Sequence, residues 1–155
     1  MKILRENVAR NIIIYITRRK LIMVKFLVVS GSAVAINLVL LFLMVRYWGF
    51  DTTLRENAAN IISMEISIIY NFFLSRAFTW SDRHKEKGGR LVIQILKFHV
   101  TIGITLLFLA ALFPILQHFG VYYIINAAIG IIIAAIFNFF VYDALIFREG
   151  GPKNV

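Results

Sequence analysis

FLVVSGSAVAINLVLLFLMV, residues 26–45, contains no charged side chain. Wound as a helix at ~1.5 Å per residue, it covers ~30 Å, the thickness of a bilayer's hydrocarbon core. Three further stretches read the same way, at about 58–74, 98–116 and 121–146. Lipid offers no partner to open backbone N–H and C=O groups, so each must close its own hydrogen bonds as a helix. A barrel would need short strands of alternating polarity, and none is present. The expected fold is an all-α integral membrane protein with four transmembrane helices.

Composition agrees. Of 155 residues 60% are hydrophobic and only 16% charged, with a mean hydropathy of +0.80. A water-soluble domain of this size needs more polar surface over its core. The formal net charge of +9 could suggest nucleic acid. The cations lie between and outside the apolar runs, however, which is a membrane-topology pattern, so no nucleic-acid partner is expected. Cysteine is absent, which removes disulfides and thiolate metal sites. The first apolar run is too long for a signal-peptide core, and no small-residue cleavage site follows it.

Charge sets the expected orientation. The arm carries Lys2, Arg5, Arg10, Arg18, Arg19, Lys20 and Lys25. The central loop and its flanks carry Arg76, Arg83, Lys85, Lys87, Arg90 and Lys97, and the tail Arg148 and Lys153. The other two loops hold Arg46 and Arg55 beside Asp51 and Glu56. The positive-inside rule then puts both termini and the central loop in the cytoplasm of a multi-pass plasma-membrane protein. The arm, residues 1–24, reads two ways. Val8, Ile12, Tyr15 and Ile16 share a helical face that suits an interfacial helix on anionic lipid; a loose basic arm would serve topology equally well.

The chain also repeats itself. KFLVVSG (25–31) returns as KFHVTIG (97–103), and Asn57-Ala58-Ala59 as Asn126-Ala127-Ala128. NFFLSRAFTW (71–80) returns as NFFVYDALIF (138–147). The order is conserved, which makes two hairpins, about 25–80 and 97–147, inside a membrane domain of 25–148. A tail of 149–155 follows. Two-span units enter the membrane from one side, so these are parallel repeats, an arrangement some transporters use. The register is imperfect. Asn-Ala-Ala to Asn-Phe-Phe spans 14 residues in one copy and 12 in the other. Two residues turn a helix by ~200°, so one matched block must face differently in the two halves.

These residues resemble the GtrA-like family of small four-span membrane proteins. The resemblance runs from Lys25 to Phe147. It rests on a basic residue and Phe before a glycine-bearing first span, and on the Asn-Phe-x-x-Asn-Arg-x-Trp-x-Phe pattern at the membrane edge. Asn71, Phe72 and Arg76 match that pattern; Ser75 replaces its second asparagine, and Phe78 and Trp80 exchange aromatic identities. In the second copy Asn138, Phe139 and Phe147 match, and Asp143 stands where the first has Arg76. The resemblance implies a role in cell-surface polysaccharide or glycolipid synthesis. The protein would move a polyprenyl-phosphate-linked sugar across the membrane, or assist the glycosyltransferase that makes or uses it.

Candidate site residues follow from cost and position. Glu65 lies mid-span, where an ionised carboxylate costs ~2.5–3.5 kcal/mol or more. It reads as a proton- or substrate-coupled group, or as a protonated acid bonded between helices. Asn60, Ser67 and Asn71 share one helix face, and Asn37 and Asn138 extend a polar path. Interhelical hydrogen bonding is the bland reading for each asparagine. Lys25, Arg76 and Lys97 sit at inner span ends, at phosphate depth. Asp143 is a candidate partner for Arg76 across the repeat, and its replacement of an arginine makes the first exit the expected headgroup site. Gly31/Ala35 and Gly130/Ala134 are small-residue pairs suited to close helix packing. Pro114 should bend or end the third helix, with Gly120 in the turn after it. His84, His99 and His118 are too scattered for a metal site, and no nucleophile–base pair or nucleotide signature is present. No cofactor or catalytic activity is expected.

Three functions remain open. One is translocation of the lipid-linked sugar, with a homo-oligomer expected because four spans enclose little space. A second is a non-catalytic anchor or regulator of a glycosyltransferase. A third is a small multidrug-type transporter, although those carry their carboxylate in the first span and use inverted repeats.

Overall fold

The fold is seen in a computed structural model, which describes residues 2–148, with side chains from Arg19 onward. The elements in order are α1 (Lys2–Tyr47), α2 (Thr53–Leu74), a π-helical turn (Ser75–Thr79), α3 (Gly89–His118), α4 (Tyr123–Val141) and a second π-helical turn (Tyr142–Ile146). No strand occurs among the described residues. Four segments are long and apolar enough to span: Arg19–Tyr47, Thr53–Thr79, Gly89–His118 and Tyr123–Ile146. The protein is therefore all-α with four membrane-spanning helices. The third begins well before the apolar run at 98. Hydropathy stops at Arg90, Gln94 and Lys97, whereas backbone hydrogen bonding does not.

The chain forms two compact units that divide after Thr79, one residue before the first copy of the repeated phrase ends. In the first unit α1 runs unbroken through the arm and the first span, for 46 residues. At ~1.5 Å per residue it outreaches a ~30 Å core, so the arm continues the spanning helix. The interfacial face expected from Val8, Ile12, Tyr15 and Ile16 lies outside the described side chains, as does the tail beyond Arg148. The buried side of α1 is Ile22, Phe26, Val29 and Ala33, with Met44 at its far end. That spacing of four, three and four is one helical stripe. It packs on α2, which buries Ala59, Ser63, Ser67 and Phe72. Ser32 and Tyr70 share a hydrogen bond of 3.3 Å across the pair.

In the second unit α3 packs against α4. It buries Gln94, Phe98, Thr101 and Thr105, and α4 buries Asn126, Gly130 and Phe139. The α3 helix continues through Pro114 to His118, so the proline does not end it. Gly120 has φ +75, a left-handed conformation that glycine takes without a Cβ clash, and it turns the chain into α4.

The two units bury equivalent positions. Ile22, Phe26, Val29 and Ala33 of α1 correspond to Gln94, Phe98, Thr101 and Thr105 of α3. On the second helices Ala59, Ser63, Phe72, Ser75, Thr79 and Trp80 correspond to Asn126, Gly130, Phe139, Tyr142, Ile146 and Phe147, all buried. Each Asn-Phe-Phe phrase passes into a π turn at the same place. The Asn-Ala-Ala blocks are not equivalent. Asn57 is exposed and Asn126 buried, so the position equivalent to Asn126 is Ala59. The matched letters there sit two residues out of register.

Candidate functional site

The first unit places Lys25, Asn71 and Arg76 near the end of α2. Lys25 Nζ lies over the Phe78 ring, 5.1 Å from its centroid, a cation–π contact that positions the ammonium without neutralising it. Asn71 is half-buried, and its Oδ1 accepts a hydrogen bond from Ser75 Oγ at 3.1 Å. Arg76 is half-buried within the π turn. Glu65 is exposed on α2, away from the buried Ala59, Ser63 and Ser67. The polar stripe expected at Asn60, Ser67 and Asn71 is shifted. Asn60 is exposed, and Ser63 occupies the centre of the helix contact at 0% exposure. Ser63 and Ser67 turn their hydroxyls back to the carbonyls of Asn60 and Met64. They present a small, internally satisfied surface.

Gly31 and Ala35 are exposed, and a Cβ at Gly31 would meet nothing within 4 Å. The pair does not serve packing within the chain, because it lies on the side of α1 opposite Val29 and Ala33. Gly130 is buried, and a Cβ there would come within 3.3 Å of Leu109 Cδ2. That glycine does permit a close approach of α3 and α4.

The second unit is more polar inside. Where α1 presents Ile22, Val29 and Ala33, α3 presents Gln94, Thr101 and Thr105. Thr105 Oγ1 donates to Asn138 Oδ1 at 2.8 Å. Asn126 Nδ2 donates to the Phe113 carbonyl at 2.7 Å, near the opposite end of the helix pair. Gln94, Thr101, Thr105 and Asn138 thus form a line of polar side chains along the α3–α4 seam.

Asp143 is 8% exposed and is held by protein groups. Its Oδ1 accepts from Arg83 Nη2 at 2.8 Å and from Trp80 Nε1 at 3.2 Å. The cation of this pair, Arg83, comes from the central loop. Arg83 Nη1 also reaches the Phe147 carbonyl at 3.4 Å, and Gln94 Nε2 donates to the Ile146 carbonyl at 2.6 Å. These bonds satisfy carbonyls that a helix end leaves without partners. Around them Trp80 stacks on Phe147, with centroids 4.6 Å apart, and Phe98 on Tyr142, at 4.4 Å. Trp80 and Phe147 are the last residues of the two copies of the repeated phrase.

Beside this clamp lies a groove of about 930 Å³. It runs between the first turns of α3 and the end of α4, and Lys97 lines it. The structure therefore gathers Lys25 with Asn71 and Arg76 in one unit, and Lys97 with Asp143 and Asn138 near one helix pair in the other. Sequence reasoning missed Gln94, Thr101 and Thr105 as a polar face, although their spacing of seven and four was a readable helical signal. Nothing in the sequence singled out Arg83 from its basic neighbours. Among the described residues no group of His, Cys, Asp or Glu could hold a metal ion.

Neither a curated protein nor a solved structure shows a match to the chain. The family model described as GtrA/DPMS, transmembrane domain, matches residues 23–152. That match takes in all but the first four residues of the four spanning segments, both copies of the repeated phrase and the clamp at Asp143, and the chain belongs to this family.

Proposed function

We propose that this membrane protein moves a polyprenyl-phosphate-linked sugar across the plasma membrane for cell-surface polysaccharide or glycolipid synthesis. Family membership supports a role in handling lipid-linked sugars. The observation that carries the reading further is the polar line Gln94, Thr101, Thr105 and Asn138 along the seam of a strongly apolar helix pair. Buried polar groups in lipid are costly, and they are a default pointer to a substrate path. In this reading cations at the helix ends, Lys25, Arg76 and Lys97 among them, engage phosphate. Asn71, Asn138 and Glu65 contribute to the passage of the sugar, and the prenyl tail stays in lipid. Asp143 acts through Arg83, as a positioning residue. The charge bias puts these helix ends and both termini in the cytoplasm, where the lipid would be loaded. Anionic lipid surrounds the basic ends, a homo-oligomer enlarges the passage, and the protein supplies no bond-making chemistry.

The test is reconstitution of the pure protein in liposomes that carry a labelled polyprenyl-phosphate sugar in one leaflet. Accelerated appearance in the other leaflet is expected, with Thr105→Val and Asn138→Leu slowing it. The unbroken α1, which continues through the basic arm, favours a second reading: a non-catalytic anchor for a glycosyltransferase. Co-purification with such an enzyme through residues 1–24, with no acceleration in liposomes, would establish that reading in place of the first.

A further inference from the structure

The groove of the second unit has the chemistry of a headgroup site. On α3 its wall is Arg90, Gln94, Lys97 and Thr101, residues that share one helix face. Arg148 lines the groove from the far side of the second π turn. Arg90, Lys97 and Arg148 are all exposed, and none forms an ion pair with a described residue. Their charge is thus available to a ligand, whereas Arg83 is spent on Asp143. Glu86 is the acidic residue of the lining, so the balance favours an anion.

Two further features narrow the ligand. Gln94 is only 6% exposed, and its Nε2 is committed to the Ile146 carbonyl, yet its Oε1 is buried with no partner. An unpaired buried acceptor is expensive and calls for a donor such as a hydroxyl. Away from the cations the walls turn apolar, through Val100, Val141 and Leu145. A volume of about 930 Å³ falls in the range of small-molecule sites, roughly 300–1,000 Å³. It can take a head with the first part of a chain.

We propose that this groove binds the phosphate of a lipid whose head also carries hydroxyls. Arg90, Lys97 and Arg148 hold the phosphate, Gln94 Oε1 accepts from a head hydroxyl, and the tail leaves along Val100, Val141 and Leu145. The proposal deepens the translocation reading, on which it rests for the class of lipid, and assigns a headgroup site to the second unit. The replacement of an arginine by Asp143 does not count against it, because Arg83 and Trp80 occupy that carboxylate.

The experiment measures binding of farnesyl phosphate, farnesol and inorganic phosphate to the full chain in nanodiscs of phosphatidylcholine. Farnesyl phosphate should bind, and Arg90→Gln with Lys97→Gln should weaken it about tenfold or more, the loss of one or two charge-assisted hydrogen bonds. Arg46→Gln, at an exposed cation outside the groove, should change it less than about twofold, within the contribution of an exposed charge. Gln94→Leu should reduce affinity for a glycosylated prenyl phosphate more than for farnesyl phosphate. Binding of the double variant within twofold of wild type, with an unchanged melting temperature, overturns the site. Farnesol binding as tightly as its phosphate, or inorganic phosphate competing at equal concentration, overturns the lipid-phosphate assignment. The two readings fail separately. Lost binding in the variants with no translocation by wild type leaves the groove standing and removes transport. Normal binding in the variants with intact translocation does the reverse.

Discussion

At the scale of single residues, Asp143 shows how a polar group near lipid is maintained. Arg83 and Asp143 are 10% and 9% exposed in their side chains, so each carries a desolvation cost that the other helps to offset. Removing one partner of such a pair leaves an uncompensated charge and costs about 3–5 kcal/mol. Arg83→Ala and Asp143→Ala should each destabilise the protein by roughly that amount, and the double substitution should cost much less than their sum. Reversible unfolding in detergent micelles measures it; losses that simply add would show that the pair is not coupled. Trp80→Ala should also cost about 3–5 kcal/mol, since it removes a fully buried aromatic along with a hydrogen bond to the same carboxylate. Asp143 was legible in the sequence as a departure from Arg76. Its contact with Arg83 was not, because Arg83 sits among several cations of the central loop and only folding brings it to the carboxylate.

At the scale of the element, burial decides which sequence matches are real. Asn57 and Asn126 open the same three letters, yet Asn126 spans α4 to α3 while Asn57 is exposed. Asn126→Leu should cost about 0.6–1.7 kcal/mol, the range for hydrogen bonds between membrane helices, and Asn57→Leu close to nothing. The same comparison applies to the glycines. Gly31→Ala should be neutral or stabilise by about 0.5–1 kcal/mol through helix propensity. Gly130→Val should destabilise by about 1–3 kcal/mol, because it crowds Leu109. Thermal unfolding of the four variants checks both orders, and equal effects for the two glycines would contradict the assigned faces. The third helix likewise begins ahead of its apolar run, because Arg90 and Lys97 interrupt the hydropathy but not the helix.

At the scale of the whole molecule, four apolar helices in two units make a multi-pass membrane protein, and charge predicts an orientation. Reporter fusions after Arg148 and within the central loop should act as cytoplasmic, and fusions near Gly49 and Gly120 as external. The opposite pattern would invert the proposed loading side. The number of spans, the duplication and the family could be read from the chain alone, because apolar length and charge bias are summed properties that do not depend on which side chains meet. Tertiary structure was needed for the rest. It made Ala59, not Asn57, the buried equivalent of Asn126, brought Arg83 to Asp143, and opened a basic groove in the second unit. Those outcomes depend on rotation about a helix axis and on where loop side chains fold back. A residue sequence specifies both only through the packing it produces.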